Sequence, residues 1–367
     1  HMPSKKRSLL AASGAGGGPT LKAWGRNNLG RLGVGDTADK STPTLVGSDD
    51  WVAVVATSGG GAATKQDGTL WTWGSASHGV LGHGNATNYS SPVQVGALTD
   101  WSVISAGSLC MHTIKTDGTL WTWGRGFGGQ LGLGNTTSYS SPKQVGALTT
   151  WAKSEPGSNF GLAIKTDGTL WCWGSGYWGN LGLGSAPVYY SSPVQVGALT
   201  TWESVSGGNS SSSAIKTNGT LWACGRNSKG ELGINSTTQT NTWTQVGSLT
   251  TWAKVSSGTN FTLAVKDDGT LWAWGSNSKG ELGLGTTIAR SSPVQVGGLT
   301  TWSIPKAGYY AGMAIKTDGT LWMWGRNLFG ALGQGNTTDY SSPVQVGTST
   351  DWTNISQNEG SFGIETP

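Results

Sequence analysis

The sequence predicts an all-β fold, a seven-bladed β-propeller built from four-stranded antiparallel blades. The first observation is a repeat: the segment Leu-x-x-Trp-Gly occurs seven times at intervals of 49 to 51 residues, with Cys224 replacing Trp in one copy. The second is that each interval holds four short strand-like segments separated by turns. The third is that the end of the chain supplies the segments that the first copy lacks. A period near 50 residues indicates a propeller, a solenoid or an array, and the matching ends favour a closed ring.

The copy within residues 101–150 shows the four strands of one repeat. Residues 101–105 and 111–115 are the first two strands, and residues 116–118, Thr-Asp-Gly, form a tight turn in which glycine can adopt positive φ. Residues 119–123 are the third strand, rich in aromatic and β-branched side chains. Residues 142–145 are a short fourth strand, and its proline marks an edge position. No segment carries the i, i+3, i+4 apolar pattern of a helix.

The two ends of the chain predict how the ring closes. The chain enters the first repeat at its third strand, within residues 19–25, and it ends with residues 352–356 and 362–367, which resemble first and second strands. The terminal Ile364-Glu-Thr matches Ile114-Lys-Thr of a complete repeat. One blade is therefore expected to be a composite of both ends, which makes residues 19–367 a single propeller.

Residues 1–18 are expected to lie outside the propeller. His1 and Met2 resemble a cloning scar, and Lys5, Lys6 and Arg7 give the tail a basic start. Residues 13–18 have the Gly-rich composition of a flexible linker. The tail is either a disordered leader or an anchor that docks the propeller onto a larger assembly, and without such docking we expect a monomer.

Composition excludes several classes of protein. The 367 residues include 61 Gly and 21 Trp, and only 11% are charged. The glycines follow no three-residue period, which excludes collagen, and no apolar run reaches the roughly 20 residues of a membrane span. The net charge is +4, three positive charges lie in the tail, and no nucleic-acid partner is therefore expected. The three cysteines are too few and too scattered for a disulfide framework.

Most of the tryptophans recur at fixed places in the repeat. Seven open the first strands and twelve lie in the third strands, which predicts that they pack between neighbouring blades. Trp178 and Trp243 depart from this pattern.

The unit IKTDGTLWTWGRGFGGQLGLGNTT, with Trp-Gly followed by Gly-Gln130-Leu131-Gly132, resembles the regulator of chromosome condensation repeat. The resemblance covers residues 19–367 and implies a seven-bladed propeller, in agreement with the strand count. It also implies diverse functions: nucleotide exchange on a small GTPase, chromatin binding, ultraviolet sensing or inhibition of β-lactamases. The highly similar repeats, such as Ser-Ser-Pro-Val-Gln-Val-Gly in four copies, suggest a bacterial or phage-borne member.

Several of these functions do not fit the residues. Repeats of 49 to 51 residues leave no room for the inserted wedge of the exchange factors. The Trp- and Arg-containing pentapeptide of the ultraviolet sensors is replaced by segments such as those around Phe160 and Ser212. The near-neutral body lacks the basic face of a chromatin binder, and the recurring second-strand histidine of the family survives only as His112.

Comparison of the repeats with one another predicts where a partner binds. The connections between strands two and three and between strands four and one are nearly uniform, whereas those between strands one and two and between strands three and four vary. In an antiparallel meander the two variable connections emerge on the same face. Rigid aromatic side chains are common hot spots at interfaces. The predicted partner-binding residues are Phe127, Tyr177, Trp178, Tyr309, Tyr310, Phe329, Phe160, Phe261 and His78. The alternatives are that these rings pack under their own loops or that the variation is neutral drift.

No catalytic, cofactor or metal site is predicted. The acidic turn residues suit turn formation, and His78, His83 and His112 are too scattered for a metal motif. The Gly-rich stretches lack the lysine and the helix of a phosphate-binding loop. The sequence thus favours a non-enzymatic module that binds a protein through the variable connections. The alternatives are a carbohydrate-binding propeller and a structural component of a virion or cell-surface assembly.

Overall fold

The computed structural model describes residues 17–367, which fold into seven four-stranded antiparallel sheets. The predicted tail at residues 1–16 lies outside the described residues. The sheets are numbered as blades in chain order, and blade 7 combines both chain ends. Blade 1 consists of β3 Trp51–Ala56, β4 Gly60–Lys65, β5 Leu70–Gly74 and β6 Tyr89–Gln94. Blade 2 consists of β7 Trp101–Ala106, β8 Cys110–Lys115, β9 Leu120–Gly124 and β10 Tyr139–Gln144. Blade 3 consists of β11 Trp151–Ser154, β12 Phe160–Lys165, β13 Leu170–Ser175 and β14 Tyr189–Gln195.

The remaining blades follow the same order of strands. Blade 4 consists of β15 Trp202–Gly207, β16 Ser211–Lys216, β17 Leu221–Gly225 and β18 Thr240–Gln245, and blade 5 of β19 Trp252–Ser257, β20 Phe261–Lys266, β21 Leu271–Gly275 and β22 Arg290–Gln295. Blade 6 consists of β23 Trp302–Ala307, β24 Ala311–Lys316, β25 Leu321–Gly325 and β26 Tyr340–Gln345. Blade 7 consists of β27 Trp352–Gln357, β28 Gly360–Glu365, β1 Thr20–Gly25 and β2 Lys40–Leu45. Three short 3-10 helices are Asn28–Gly30, Ser77–Gly79 and Leu328–Gly330.

The first strand of every blade faces a central channel. The ends of the seven first strands line one cavity, and the first strands of neighbouring blades contact one another. The fourth strands form the outer rim, where their residues are half-exposed. The predicted all-β, seven-bladed architecture is confirmed.

Blade 7 closes the ring in the predicted way. Strand β28 pairs antiparallel with β1, from Thr20 opposite Glu365 to Gly25 opposite Gly360. In blades 1 to 6 the second strand ends with a lysine that lies over two tryptophans, as Lys65 lies over Trp51 and Trp71. In blade 7 the second strand ends with Glu365 instead, and its Oε2 forms an ion pair of 2.6 Å with Lys22 Nζ. The first and last strands are thus joined by backbone hydrogen bonds and by one ion pair.

In every blade except blade 4, a tryptophan of the third strand fills the seam with the preceding blade. Trp173 is fully buried, and its Nε1 donates a hydrogen bond of 2.9 Å to the carbonyl oxygen of Gln130 in blade 2. Gly132 has φ of 70°, and a Cβ there would lie 3.0 Å from Trp173 Nε1. The motif glycine therefore lets the backbone approach the ring closely. Equivalent bonds join Trp73 to Arg31, Trp123 to Val80, Trp274 to Glu231 and Trp324 to Glu281.

The seam between blades 3 and 4 is filled by Trp243 of the fourth strand instead of by a third-strand tryptophan. Cys224 stands where the other third strands have this tryptophan, and its Sγ lies 3.6 Å from the Asn180 carbonyl oxygen. Trp243 occupies the fourth-strand position that other repeats give to proline. A Cβ on Gly182 would lie 2.2 Å from Trp243 Nε1, so this ring covers Gly182 as Trp173 covers its own glycine. Trp243 therefore fills the seam from the outer strand.

This exchange predicts strong coupling between Cys224 and Trp243. Cys224→Trp alone adds a ring to a filled seam and is expected to cost about 1–3 kcal/mol. Trp243→Pro alone empties the seam and is expected to cost about 3–5 kcal/mol. The double variant restores the arrangement of the other seams, so its loss of stability should be well below the sum of the two. Denaturant unfolding of all four proteins measures the coupling. Trp243→Pro combined with the distant His112→Leu should be additive, and additive behaviour of the Cys224 pair would refute the exchange.

His112 is a buried core residue held in the neutral state. Its ring stacks on Trp173 with centroids 5.5 Å apart, and its Nε2 lies 3.2 Å from the Gln130 carbonyl oxygen. Since a carbonyl only accepts, Nε2 carries the proton and Nδ1 accepts from Ser154 Oγ at 2.9 Å. Burial lowers the pKa of His112 to about 4. Blades 3 and 5 place leucine at this position, Leu162 and Leu263.

His112 is expected to make the fold acid-sensitive. As the pH falls below 6.5, His112 becomes protonated in the unfolded chain but stays neutral in the folded chain until about pH 4. The free energy of unfolding therefore decreases as the pH falls from 6.5 to 4. The full effect is about 3 kcal/mol. Compared with the wild type, His112→Leu should gain this amount of relative stability between pH 7 and pH 4. The comparison is made by urea unfolding at both pH values. If the stabilities of the two proteins change in parallel with pH, the assignment of this sensitivity to His112 is wrong.

Candidate functional site

The connections between strands one and two and between strands three and four open on one side of the disc, called here the variable face. Two surface cavities show this arrangement, because each is lined by both kinds of connection. One cavity of about 230 Å³ is bordered by Asn159, Tyr177 and Trp178. The other, of about 270 Å³, is bordered by Tyr309 and Phe329.

The opposite side, called the uniform face, repeats one hydrogen-bond network. In blade 3, Asp167 Oδ1 accepts from the backbone N–H and the hydroxyl of Thr169 at 3.0 and 2.7 Å, and Trp171 Nε1 donates to Thr169 Oγ1 at 2.9 Å. The Lys165 ammonium lies 3.6 Å from the Trp171 ring centroid. The same contacts recur in blades 1, 2, 5 and 6. Folding therefore accounts for the uniformity of this face.

The variable face carries arginines at alternate blades. The residue after each Trp-Gly, or after Cys224-Gly, alternates between arginine and serine, in the order Arg26, Ser75, Arg125, Ser175, Arg226, Ser276 and Arg326. Every one of these arginines lies over an aromatic ring, with its guanidinium carbon 5.1 to 5.7 Å from the ring centroid. Because seven is odd, the alternation fails once, and Arg326 and Arg26 become neighbours where blade 6 meets blade 7.

The blade 3–4 cluster consists of Tyr177, Trp178 and Arg226. The two rings meet edge to face with centroids 5.0 Å apart, and the Arg226 guanidinium lies 5.4 Å from the Trp178 centroid. Tyr177 and Trp178 remain 51% and 37% exposed. Asn159 and Asn209 border the adjoining cavity and add amide groups to it. The cluster thus presents two preorganised rings and a cation to the solvent.

The blade 6–7 cluster consists of Tyr309, Tyr310, Phe329, Arg26 and Arg326. The tyrosine rings are 4.4 Å apart, Arg326 lies 5.3 Å from Tyr310, and Arg26 lies 5.1 Å from Phe329. Tyr309 is 42% exposed, whereas Tyr310 and Phe329 are half-buried. Desolvation and the neighbouring Tyr310 raise the pKa of Tyr309, so its hydroxyl stays protonated at neutral pH.

Glu359 is the carboxylate that borders this cavity. Its Oε2 accepts from Arg26 Nη1 at 2.9 Å and from Arg31 Nη1. Burial lowers the pKa of Arg31, the Glu359 carboxylate raises it, and nearby Arg26 lowers it. With Arg326 included, three guanidinium groups surround one carboxylate, so this part of the variable face is electropositive.

Two further predicted rings, His78 and Phe127, form a smaller pair. His78 and Phe127 meet edge to face at 5.4 Å, and Arg125 lies 5.7 Å from the Phe127 centroid. Phe127 is 60% exposed and His78 is also exposed. The structure therefore gathers seven of the nine predicted residues on the variable face, in three groups rather than in one continuous patch.

Phe160 and Phe261 are corrections to the predicted set. They open second strands β12 and β20 and are only 1% and 2% exposed. Each ring packs beneath its own connection, since a Cβ on Gly157 would lie 2.1 Å from Phe160 Cε1 and one on Gly258 would lie 2.9 Å from Phe261 Cε1. Phe160 borders the blade 3–4 cavity but offers almost no surface to a partner. These two rings belong to the core.

The arginines and Glu359 were not in the predicted set. The alternation of arginine and serine after the Trp-Gly motif is a signal that could have identified Arg26, Arg226 and Arg326. The pairing of Glu359 with Arg31 joins residues 328 positions apart and could not be predicted from a motif.

Charge separates the two faces of the disc. On the uniform face the acidic residues outnumber the basic ones, which are Lys22, Lys65, Lys115, Lys143, Lys153, Lys165, Lys216, Lys254, Lys266 and Lys316. The variable connections and adjoining strand ends reverse this balance with Arg26, Arg31, Lys40, Arg125, Arg226, Lys229, Lys279, Arg290, Lys306 and Arg326. Two of the acids on that side, Glu231 and Glu281, are buried and accept from the backbone of Lys229 and Lys279 at 2.7 Å. Five further acids lie on that side, Asp36, Asp39, Glu155, Asp339 and Glu359, against ten basic residues. The accessible variable face is therefore more basic than the near-neutral composition indicated.

Three residues at one place in the variable connections adopt the left-handed region of backbone conformation. Leu29, His78 and Phe329 occupy the same place in their connections, with φ of 65°, 56° and 61°. A non-glycine residue there costs roughly 1–2 kcal/mol. Trp178, at the corresponding place in blade 3, is not in this region.

Within the described part of the chain, no group of three or more His, Cys, Asp or Glu side chains is arranged to hold a metal ion. No helix among residues 17–367 is long and apolar enough to cross a membrane.

Fold and surface together define a closed propeller that displays aromatic and arginine clusters on one face. A model of the regulator of chromosome condensation (RCC1) repeat matches residues 23–64, 67–114, 117–164, 167–215, 218–265, 268–315 and 318–357, and a second model of this repeat matches residues 252–281. The chain therefore belongs to the RCC1 repeat family. No curated protein sequence matches it.

Solved structures confirm the fold. Prp20p from Saccharomyces cerevisiae, described with its binding to Gsp1p and histones, is 17% identical, with 95% of this chain and 92% of that chain covered and a TM-score of 0.83. Human WBSCR16 is 19% identical, with 95% and 99% covered and a TM-score of 0.84. Yeast RCC1 (Prp20), in complex with Kap60, is 15% identical, with 100% and 96% covered and a TM-score of 0.83.

The strained backbone predicts opposite responses at Phe329 and Trp178. Phe329→Gly relieves the left-handed strain that Phe329→Ala keeps, so the glycine variant should be more stable than the alanine variant by about 1 kcal/mol. At Trp178 the order should reverse by roughly 0.5–1 kcal/mol, because glycine adds only unfolded-state entropy there. Urea unfolding of the four variants measures both differences. If alanine is the more stable substitution at both positions, Phe329 is not strained.

Proposed function

We propose that this chain is a non-enzymatic protein-recognition module whose variable face binds an acidic surface of a partner protein. The observation that carries the proposal is the set of exposed rings braced by arginines in the blade 3–4 and blade 6–7 clusters. Tyrosine, tryptophan and arginine are the residues most enriched at binding hot spots. Rings that are already packed edge to face lose little conformational freedom when a partner covers them.

Charge supports the choice of an acidic partner. The variable face is basic, and Arg26, Arg31 and Arg326 meet only one carboxylate at the blade 6–7 seam. Complementary charge steers association and disfavours partners of like charge. The structural relative Prp20p is described as binding Gsp1p and histones, and yeast RCC1 (Prp20) was solved with Kap60, so propellers of this fold serve as protein binders.

The test compares capture of partners by matched variants. Trp178→Ala and Tyr310→Ala, combined in one protein, remove one ring from each cluster, and Leu249→Ala with Leu299→Ala remove two leucines that are 45% and 48% exposed on the uniform face. The immobilised proteins are incubated with extract of the native source, and bound proteins are quantified by mass spectrometry. We expect acidic partners that the wild type and the leucine variant retain and the ring variant loses, with capture weakened by salt.

The melting temperature of each variant serves as the folding control. Equal capture by the ring variant and the wild type would remove the variable face from the proposal. A glycan array provides the competing outcome: saturable binding of a sugar that depends on Trp178 would instead favour carbohydrate recognition by the blade 3–4 cluster.

A further inference from the structure

The channel mouth on the variable face is a further feature of the molecule, and Tyr309 of the blade 6–7 cluster also lines it. All seven blades contribute to it through the ends of their first strands and the following connections. It encloses a cavity of about 140 Å³, below the roughly 300–1,000 Å³ of sites for drug-sized ligands. Hydroxyl and amide side chains form much of its lining, including Ser58, Ser108, Ser158, Asn209, Thr259 and Gln357.

In blades 4, 5 and 7 the fifth residue of the first strand joins neighbouring blades at this level. Ser206, Ser256 and Ser356 occupy the position, and each Oγ accepts a hydrogen bond from the backbone of the next blade. The acceptor–donor distances are 2.9 Å to Ser257 N, 3.0 Å to Ala307 N and 2.9 Å to Ala56 N. A serine at this place thus stabilises the ring.

In blades 3 and 6 a charged residue replaces the serine at the fifth position, so the hydrogen bond to the serine Oγ is absent. Glu155 and Lys306 stand at the fifth position, and Pro156 follows Glu155, so strand β11 already ends at Ser154. Glu155 and Lys306 are the charged residues among those that line the cavity. Blades 3 and 6 lie three steps apart in a ring of seven, which places the two side chains on opposite sides of the channel. Blade 2 has Ser105 and blade 1 has Val55 at this position, so blades 3 and 6 are the two that place a charged residue here.

The two charges do not neutralise each other directly. Within residues 17–367, neither Glu155 nor Lys306 forms an ion pair within 4.0 Å, and neither side chain has a hydrogen-bond partner. Both are half-buried, and burial raises the pKa of Glu155 while Lys306 lowers it. Desolvated charges are costly unless a partner of opposite charge reaches them.

We propose that the channel mouth binds a small zwitterion of the free α-amino acid class. The ligand ammonium would pair with the Glu155 carboxylate and the ligand carboxylate with the Lys306 ammonium, and the surrounding hydroxyls and amides would take its remaining hydrogen bonds. A molecule carrying both charges satisfies both sides of the channel at once, whereas a simple anion or cation leaves one side unpaired. The size of the cavity favours small side chains.

The proposal is tested by titration calorimetry of the full chain with glycine, alanine and serine. Acetate and methylamine, each of which carries one of the two charges, are the comparison ligands. We expect saturable binding of an amino acid and none of the half-ligands at the same concentration. Glu155→Gln and Lys306→Met should each weaken binding by about tenfold or more, the value of a hydrogen bond to a charged group. Glu203→Gln and Lys254→Met, on exposed parts of first strands, are the matched controls and should bind like the wild type.

A third variant keeps the test independent of folding defects. Glu155→Ser combined with Lys306→Ser installs the residue that other blades use, so it should fold at least as stably as the wild type and lose the ligand. The proposal is overturned if no amino acid binds the wild type, or if the double serine variant binds as tightly. Single variants that are destabilised without any ligand binding would show a water-bridged ion pair only.

Discussion

The contact on which the ring depends is a tryptophan that fills each seam, from the third strand in six blades and from the fourth strand in blade 4. A four-stranded blade exposes two apolar faces, and a ring of such blades is stable only if both are covered. An indole buries about 150–250 Å², and its single N–H usually finds an acceptor when buried. At five of the seams a carbonyl of the preceding blade supplies that acceptor, as Gln130 does for Trp173 at 2.9 Å. One side chain therefore provides both the apolar contact and the register between two blades.

This requirement explains why the sequence predicted the fold so completely. A tryptophan spaced at one blade length, a glycine that lets the backbone approach it and a fixed turn beside it leave a periodic signal. Even the departures at Cys224 and Trp243 obey the requirement, because the seam is filled from a different strand. The composite blade was predictable for the same reason, since the ends of the chain complete one copy of the period.

The surface was less predictable because the repeat period does not determine whether a side chain at the end of a strand points into the core or toward the solvent. Phe160 and Phe261 follow variable connections in the chain, yet the first residue of the second strand points under the connection and into the core. Tyr177 and Tyr309, inside their connections, point outward. Long-range partners such as Arg31 and Glu359 depend on ring closure, which brings the two chain ends together only in the folded state.

Two departures from the repeat coincide with the proposed functional parts of the disc. An arginine–serine alternation cannot close on seven blades, and the resulting double arginine falls at the seam where the chain ends also meet. The channel mouth shows a second failure, where Glu155 and Lys306 replace stabilising serines. The two features share residues: Tyr309 and Gln357 border both cavities, and Tyr309 N donates to Gln357 Oε1 at 3.0 Å. Because a coupling free energy between two sites is reciprocal, a ligand that moves Gln357 in the channel would change the affinity of the blade 6–7 cluster for its partner, and the partner would change the affinity for the ligand by the same factor.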